Sequence, residues 1–138
     1  MSTNVNWDIN RIENKLYTTV NNLAIKDASN ANIKVFYGYA PTNTTLSEFI
    51  VCAVPTNVEN DSSIHGYCLS RIAIWVKDSG TPAVKNRSRI TKIHDAIIAL
   101  FPLSAGEYSF EFANEFSMRD SANGYSITYL NLETAIIK

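Results

Sequence analysis

The chain has 138 residues and a formal net charge of −1, with 46% hydrophobic and 18% charged residues. A chain of this length fits one domain, and its composition is that of an ordinary globular protein rather than a disordered one. The low net charge argues against a general nucleic-acid binder. Since the sequence shows neither internal repeats nor low-complexity segments, we expect a single domain over residues 1–138.

The N-terminus and the cysteines indicate where the chain folds. The stretch MSTNVNWDINRIENK lacks the basic and apolar regions of a signal peptide, and no segment approaches the roughly 18 apolar residues of a membrane span. Cys52 and Cys68 are the only cysteines. Reduced thiols are the default in a chain without an export signal. We therefore expect folding in a cytoplasm and no membrane partner.

The first predicted element is an amphipathic helix over about residues 7–23. Asn6 or Asp8 can cap its start, since a short polar side chain accepts from the free backbone N–H groups. Trp7 falls outside the apolar stripe. The stripe itself has the 3.6-residue period of one helix face and consists of Ile9, Ile12, Leu16, Val20 and Leu23.

Three strands are predicted next, over residues 32–41, 47–55 and 67–78, because each is rich in β-branched and aromatic residues. The second is apolar enough to be buried on both faces. Since residues 56–66 form a polar connection, the second and third strands are predicted to pair as an antiparallel hairpin. Alternation in the third strand places one set of residues on one face, Ile72, Ile74 and Val76, and the other set on the opposite face, Arg71, Ala73, Trp75 and Lys77.

The segment DSGTP then changes the hydrophobic period from two to 3.6 and predicts a second helix over about residues 82–101. Thr81 is the expected N-cap, and Pro82 suits the first helical position. Pro102 ends the helix. The predicted buried side consists of Ile90, Ile93, Ile97 and either Leu100 or Phe101.

The C-terminal part reads as a second hairpin. The stretch EYSFEFANEFSMRD alternates apolar and polar residues, SANG is a typical turn, and YSITYLNLETAII is the last strand. The element order is therefore α-β-β-β-α-β-β. This order predicts an α+β fold, a mainly antiparallel sheet with two amphipathic helices packed on it.

The sequence offers little that indicates catalysis. Cys52, His65, Cys68 and His94 could bind a metal, but no CxxC or HxxxH spacing joins them. If the hairpin turns near Asn60, Cys52 and Cys68 lie opposite one another. A metal site, a disulfide and two buried thiols are then the alternatives, and we favour buried thiols.

Nucleophilic catalysis has even less support. The loop DSSIHG, residues 61–66, lacks the pattern of a nucleophile elbow. The adjacent His94 and Asp95 point in different directions on a helix, so they do not form a base and its orienting acid. We predict that the chain is not an enzyme and has no catalytic, cofactor-binding or metal-binding residues.

The charge distribution is uneven and suggests a contact surface. The segment 71–94 has six basic residues and one acidic residue, for a charge of +5, which leaves −6 for the remainder. Surfaces of unlike charge favour docking between copies or partners. Most of this segment is expected to be the solvent side of the second helix. The flank of that helix is the predicted subunit or partner interface, with Lys85, Arg87, Arg89, Thr91, His94 and Ile98.

Aromatic residues suggest an alternative binding surface. They are expected mainly to pack across the sheet, and the alternative is that they line a ligand groove: Phe36, Tyr37, Tyr39, Trp75, Tyr108, Phe110, Phe112 and Phe116.

The strand RIAIWVKDSG runs into AVKNRSRITKIHDAIIALF, after an N-terminal helix and a three-stranded meander and before the closing hairpin strand YSITYLNLETAII. This arrangement resembles the tail-completion or tail-terminator proteins of long-tailed bacteriophages, and neck proteins with the same plan. The likeness covers nearly the full length and consists of element order and one strand–helix junction. The chain departs from it in its long polar connection, residues 56–66, and in its many asparagines.

The resemblance implies a structural virion component in the tail or neck, assembled in the host cytoplasm. Such proteins form a ring, usually a hexamer, that caps the tail tube and docks to neck and connector proteins. A heterologous interface that closes by rotation produces a ring. Lys85, Arg89 and Lys92 would contact an acidic neighbouring subunit, which we favour, or would face DNA in the lumen.

Other functions remain as alternatives. One is a neck or head-completion protein of the same fold. Another is a small dimeric ligand-binding module that uses the aromatic groove. A third is a small enzyme that uses Cys52, His65 and Cys68.

Overall fold

The computed structural model describes residues 8–60 and 65–137, where two helices lie against one seven-stranded sheet. The elements are α1 (Ile9–Asn21), β1 (Lys34–Tyr37), β2 (Glu48–Ala53), β3 (Glu59–Asn60), β4 (His65–Lys77), α2 (Arg87–Ile98), β5 (Leu103–Ala105), β6 (Tyr108–Asp120) and β7 (Tyr125–Ile137). The strand order is β1-β2-β4-β7-β6-β5, with β3 paired to the start of β4. The predicted α+β fold is confirmed.

Both helices pack on one face of the sheet, which we call the helix side. Asp8 caps α1, since its Oδ1 accepts from the backbone N–H of Asn10 at 2.9 Å. Ile9 of the predicted α1 stripe is exposed, and Leu23 lies beyond the end of the helix. The other stripe residues of α1, and Ile90, Ile93 and Ile97 of α2, are buried as predicted, and each such side chain contributes about 1.5–3 kcal/mol of hydrophobic free energy. They meet the sheet in one core that includes Ile12, Leu16, Val20, Ile50, Ile72, Ile74, Ile90, Ile93, Ile97, Phe110, Leu130 and Leu132.

The opposite face of the sheet, which we call the outer face, has a smaller apolar cluster. Phe49 stacks on Trp75 with ring centroids 5.1 Å apart, and Tyr125 meets both rings edge-on. The connection of residues 38–47 lies over this cluster, where Leu46 packs and accepts a hydrogen bond from the Tyr125 hydroxyl. This connection therefore covers part of the outer face.

The first strand pair differs from the prediction. β1 and β2 are parallel, whereas a three-stranded meander requires them to be antiparallel. The physical reason is the crossover of residues 38–47 over the outer face, because parallel neighbours need a connection that returns the chain to the same end of the sheet. The second pair, β2 with β4, is the predicted antiparallel hairpin.

The hairpin register separates the two cysteines. Cys52 lies opposite Ile72, and Cys68 lies opposite Thr134 of β7. Between Ala53, which pairs with Arg71, and Glu59, which pairs with Tyr67, residues 54–58 leave the ladder. The expectation that Cys52 and Cys68 face one another across the hairpin is therefore wrong.

The second helix begins later than predicted. Ser79 and Val84 exchange two backbone hydrogen bonds of 2.8 Å, so the chain makes a closed turn through Thr81 and Pro82 before it can enter a helix. Asn86 is the N-cap in place of Thr81, and its side chain accepts from the backbone N–H of Arg89.

Candidate functional site

One edge of the sheet is largely uncovered. β5 pairs only with Tyr108–Phe110, so within the described residues β6 has no neighbour on that side from Glu111 to Asp120. On its other side β6 pairs with β7 as far as Asp120 and Tyr125. An unpaired strand presents a row of backbone donors and acceptors, which makes it a template for strand addition. We call residues 111–120 the β6 edge.

A bulge puts apolar side chains on both faces of the β6 edge. The register shifts between Phe112 and Asn114, and this reverses the alternation of all later residues. Phe112 therefore faces the helix side, whereas Phe116 and Met118 face outward opposite Tyr129 and Ile127. These three large apolar side chains remain about half-exposed, at 40%, 41% and 54%. Such residues on an unpaired strand are typical of a docking surface or an aggregation-prone edge.

A groove separates the β6 edge from α2. Two bonds cross it: His94 Nε2 lies 2.8 Å from Glu115 Oε1, and Lys85 Nζ donates to Ser117 Oγ at 2.9 Å. The groove has a volume of about 490 Å³. Thr91 lines it from the helix. The flank of α2 and the β6 edge therefore form one continuous surface with mixed charges.

His94 is placed to hold a proton. Burial is the largest influence and lowers its pKa, but the hydrogen bonds and charges of Asp95 and Glu115 together outweigh it. The pKa of His94 consequently lies above its ordinary value of 6.5. A carboxylate lies near each ring nitrogen, that of Asp95 at 3.0 Å and that of Glu115 at 2.8 Å, so the imidazolium can donate to both. The expectation that the adjacent His94 and Asp95 do not pair is therefore wrong.

The predicted interface residues do not all lie on this surface. Lys85, Arg87 and Thr91 are exposed on it, and His94 bridges it. Ile98 is half-buried and packs against the helix-side core. Arg89 has a different role.

Arg89 holds α2 to the rest of the domain. Its Nε and one terminal nitrogen each donate to the Glu48 carboxylate at 2.7 Å, and the same terminal nitrogen donates to the backbone carbonyl of Lys26 at 2.9 Å. The Glu48 side chain is only 2% exposed. Hydrogen bonding to Glu48 raises the pKa of Arg89, so the guanidinium stays charged. Arg89 is therefore an internal cation and is not available to a partner.

The basic segment 71–94 does not form one patch. Arg71 lies on the outer face, where its Nε donates to Asn131 Oδ1 at 2.8 Å and its guanidinium stacks over the Tyr129 ring at 4.9 Å. Lys77 covers the ring of Tyr125. With Arg89 internal, the cations that α2 and the turn before it expose are Lys85, Arg87 and Lys92.

The aromatic residues considered for a ligand groove are divided between four places. Tyr108 and Phe110 belong to the helix-side core, and Phe36 and Trp75 pack with the outer-face cluster. Tyr37 and Tyr39 are exposed near β1, and the remaining two lie at the β6 edge. They do not line a common groove.

An open basin of about 720 Å³ lies at the far end of the outer face, with Tyr67 and Leu69 on its floor. Glu111 and Glu133 lie directly opposite one another in register beside these residues. Like charges in such a cross-strand pair repel.

The cysteines lie inside the domain. Cys52 and Cys68 are both free and buried, and burial raises the pKa of each thiol. In the part of the chain that the structure describes, no three His, Cys, Asp or Glu side chains are grouped as a metal site would require. Trp7, Asp61, Ser62 and Ser63 lie outside the described residues, as does the side chain of His65.

No protein-family model matches the chain, and no curated protein is significantly similar to it in sequence. Among the described residues, neither helix is long and apolar enough to cross a membrane.

Proposed function

We propose that this chain is a structural subunit of a phage virion, a tail-terminator or tail-completion protein. It forms a ring at the end of the tail tube, next to the neck, and connects tail to head. The observation that supports an assembly role is the β6 edge, an unpaired strand with half-exposed Phe112, Phe116 and Met118. The resemblance in element order and in the β4–α2 junction supports the phage tail as the setting.

The ends of the sheet differ, which suits a ring. The β6 edge carries Glu111, Glu115 and Arg119 with the apolar Phe116 and Met118, whereas the β1 end presents Lys34 and the exposed rings of Tyr37 and Tyr39. A contact between such unlike surfaces on neighbouring copies is heterologous, and it gives a closed ring when the rotation per subunit divides a full turn.

The exposed flank of α2 supplies a second surface for the tube or the neck. Lys85, Arg87 and Thr91 lie there beside the ring contact. We favour protein docking over DNA contact, because Arg89 binds Glu48 and leaves few cations to face a lumen. A lumen that DNA must pass also functions better without tight binding.

Immunogold electron microscopy of phage particles that carry this gene tests the proposal. Antibody against the recombinant protein should label the junction of tail and head once per particle. Antibody that recognises the protein in the lysate but labels no particle, or labels them away from this junction, would exclude the role.

A matched pair of variants then tests the edge in the same particles. Phe116→Lys together with Met118→Lys should leave the protein folded but absent from the junction, because both side chains face outward. Tyr67→Lys alters an exposed aromatic at the far end of the outer face and should leave the label in place. Equal labelling with both variants would contradict the assignment of the β6 edge.

A further inference from the structure

We propose that the free protein forms a two-fold dimer in which β6 of one copy pairs antiparallel with β6 of a second copy, centred on Ser117. This inference goes beyond the ring. A ring in which every subunit points the same way contains no such two-fold contact, and the dimer needs no tail to form. Pairing in the free protein covers an edge that would otherwise recruit strands without limit.

The hydrogen-bond pattern of the sheet shows which backbone groups of β6 are available. Lys77 donates its backbone N–H to the carbonyl of Ser47 at 2.8 Å, so the backbone N–H and carbonyl of Lys77 point toward β2. Those of its neighbour Val76 therefore point toward β7. Backbone groups alternate in direction along an antiparallel strand. In β7, the backbone N–H and carbonyl groups of Ser126, Thr128 and Leu130 therefore point back toward β4.

The β6 partners of these three residues must then point away from β7. They are Arg119, Ser117 and Glu115, which lie opposite Ser126, Thr128 and Leu130. The backbone N–H and carbonyl groups of these three β6 residues are therefore directed out of the sheet at the free edge. The bulge at Phe112–Asn114 lies before them and does not interrupt the series.

The sequence of the edge is complementary to itself about Ser117. In an antiparallel pair centred there, Glu115 lies opposite Arg119 of the second copy, and this occurs twice. Phe116 lies opposite Met118 of the second copy, again twice. Opposite charges and apolar neighbours are the cross-strand pairs that stabilise a sheet.

The side chains of these pairs also share the correct faces. Glu115 and Arg119 are both on the helix side, and Phe116 and Met118 are both on the outer face. The residues whose backbone groups point out of the free edge, Glu115, Ser117 and Arg119, pair with one another in this register. Three residue pairs therefore each exchange two backbone hydrogen bonds.

Other registers are less favourable. Centring the pair on Glu115 or on Arg119 places like charges opposite one another. Centring it on Phe116 or Met118 leaves Glu115 and Arg119 without each other as partners. The register centred on Ser117 therefore combines both charge pairs with both apolar pairs.

Sedimentation equilibrium of the purified full chain tests the proposal, from about micromolar to about millimolar concentration. We expect a reversible dimer of twice the 15.4 kDa chain mass. Glu115→Arg and Arg119→Glu should each weaken dimerisation at least tenfold, because each places like charges opposite one another. An equimolar mixture of the two variants should restore the dimer, since both cross-strand pairs are then opposite in charge.

A second pair of variants leaves the charges in place, which matters because Arg119 also bonds the buried Asp78 at 3.0 Å. Ser117→Pro removes an outward N–H that the β6–β7 ladder does not use, and edge strands tolerate proline. It should weaken dimerisation about tenfold or more, since two central hydrogen bonds are lost. Ser117→Ala keeps the N–H and should dimerise like the original protein.

A monomer at every concentration, or equal dimerisation of the proline and alanine variants, would overturn the inference. A mixture of folded charge variants that stays monomeric would also overturn it. A free protein that sediments only as a six-chain ring would overturn the dimer yet support the proposed function. If the immunogold label is missing from the particles but the dimer responds to the variants as predicted, the proposed function is overturned and the dimer is not.

Discussion

Replacing Arg89 with methionine should be among the most destabilising single changes to a polar residue of α2. The substitution removes both 2.7 Å bonds to Glu48 and leaves that carboxylate, 2% exposed, without its cation. Breaking a buried ion pair by removing one partner costs about 3–5 kcal/mol. The free energy of unfolding of a domain of this size is about 5–15 kcal/mol, so the variant should remain folded but only marginally stable.

Urea unfolding followed by circular dichroism measures this loss. The double variant Arg89→Met with Glu48→Met should recover most of it, because replacing a buried ion pair by apolar side chains is close to neutral. Arg87→Met is the matched control, since Arg87 is exposed on the same helix, and it should change stability by less than about 0.5 kcal/mol. Equal losses for Arg89→Met and Arg87→Met would refute the internal role of Arg89.

Three further predictions concern the interior and the groove. Because the pKa of His94 is raised, its bond to Glu115 should stabilise the fold below about pH 6.5 and cease to do so as pH rises through the raised pKa. Glu115→Gln should therefore lower the melting temperature at about pH 5.5 and not at about pH 8.5. An equal effect at both pH values would contradict this. Ser70→Ala should lower the free energy of unfolding in urea by about 1–3 kcal/mol, because the buried Thr134 hydroxyl loses its hydrogen-bond partner at 2.7 Å. The double variant Ser70→Ala with Thr134→Val should recover part of this loss. No loss in the single variant would contradict the prediction. The Cys52 thiol should react with a disulfide reagent only after unfolding, and rapid labelling of the folded protein would show that it is accessible.

The helices and the fold class could be predicted because they depend on local periodicity. The stripe of α1 and the alternation of β4 identify their buried faces without knowledge of neighbours. The start of α2 could not be predicted in the same way. Thr81 and Pro82 have the residue types of a helix start, but the hydrogen bonds between Ser79 and Val84 hold them in a turn.

The candidate site depended on features that local patterns do not encode. Phe112 and Phe116 are four residues apart, which in a regular strand places them on the same face, yet the bulge between Phe112 and Asn114 separates them. The free edge itself follows from the short length of β5, a property of the whole sheet. Arg89 looked like its basic neighbours, and only its contact with Glu48, distant in sequence, distinguishes it.

Hydrogen exchange at the β6 edge tests most directly whether this strand is a docking surface. The backbone amides of Glu115, Ser117 and Arg119 should exchange rapidly in dilute monomer, and they should become protected when the protein self-associates or joins a particle. In the Ser117→Pro variant at equal concentration, the amides of Glu115 and Arg119 should not become more protected. Rapid exchange of these amides in every associated state would show that the edge stays open and would contradict its role in assembly.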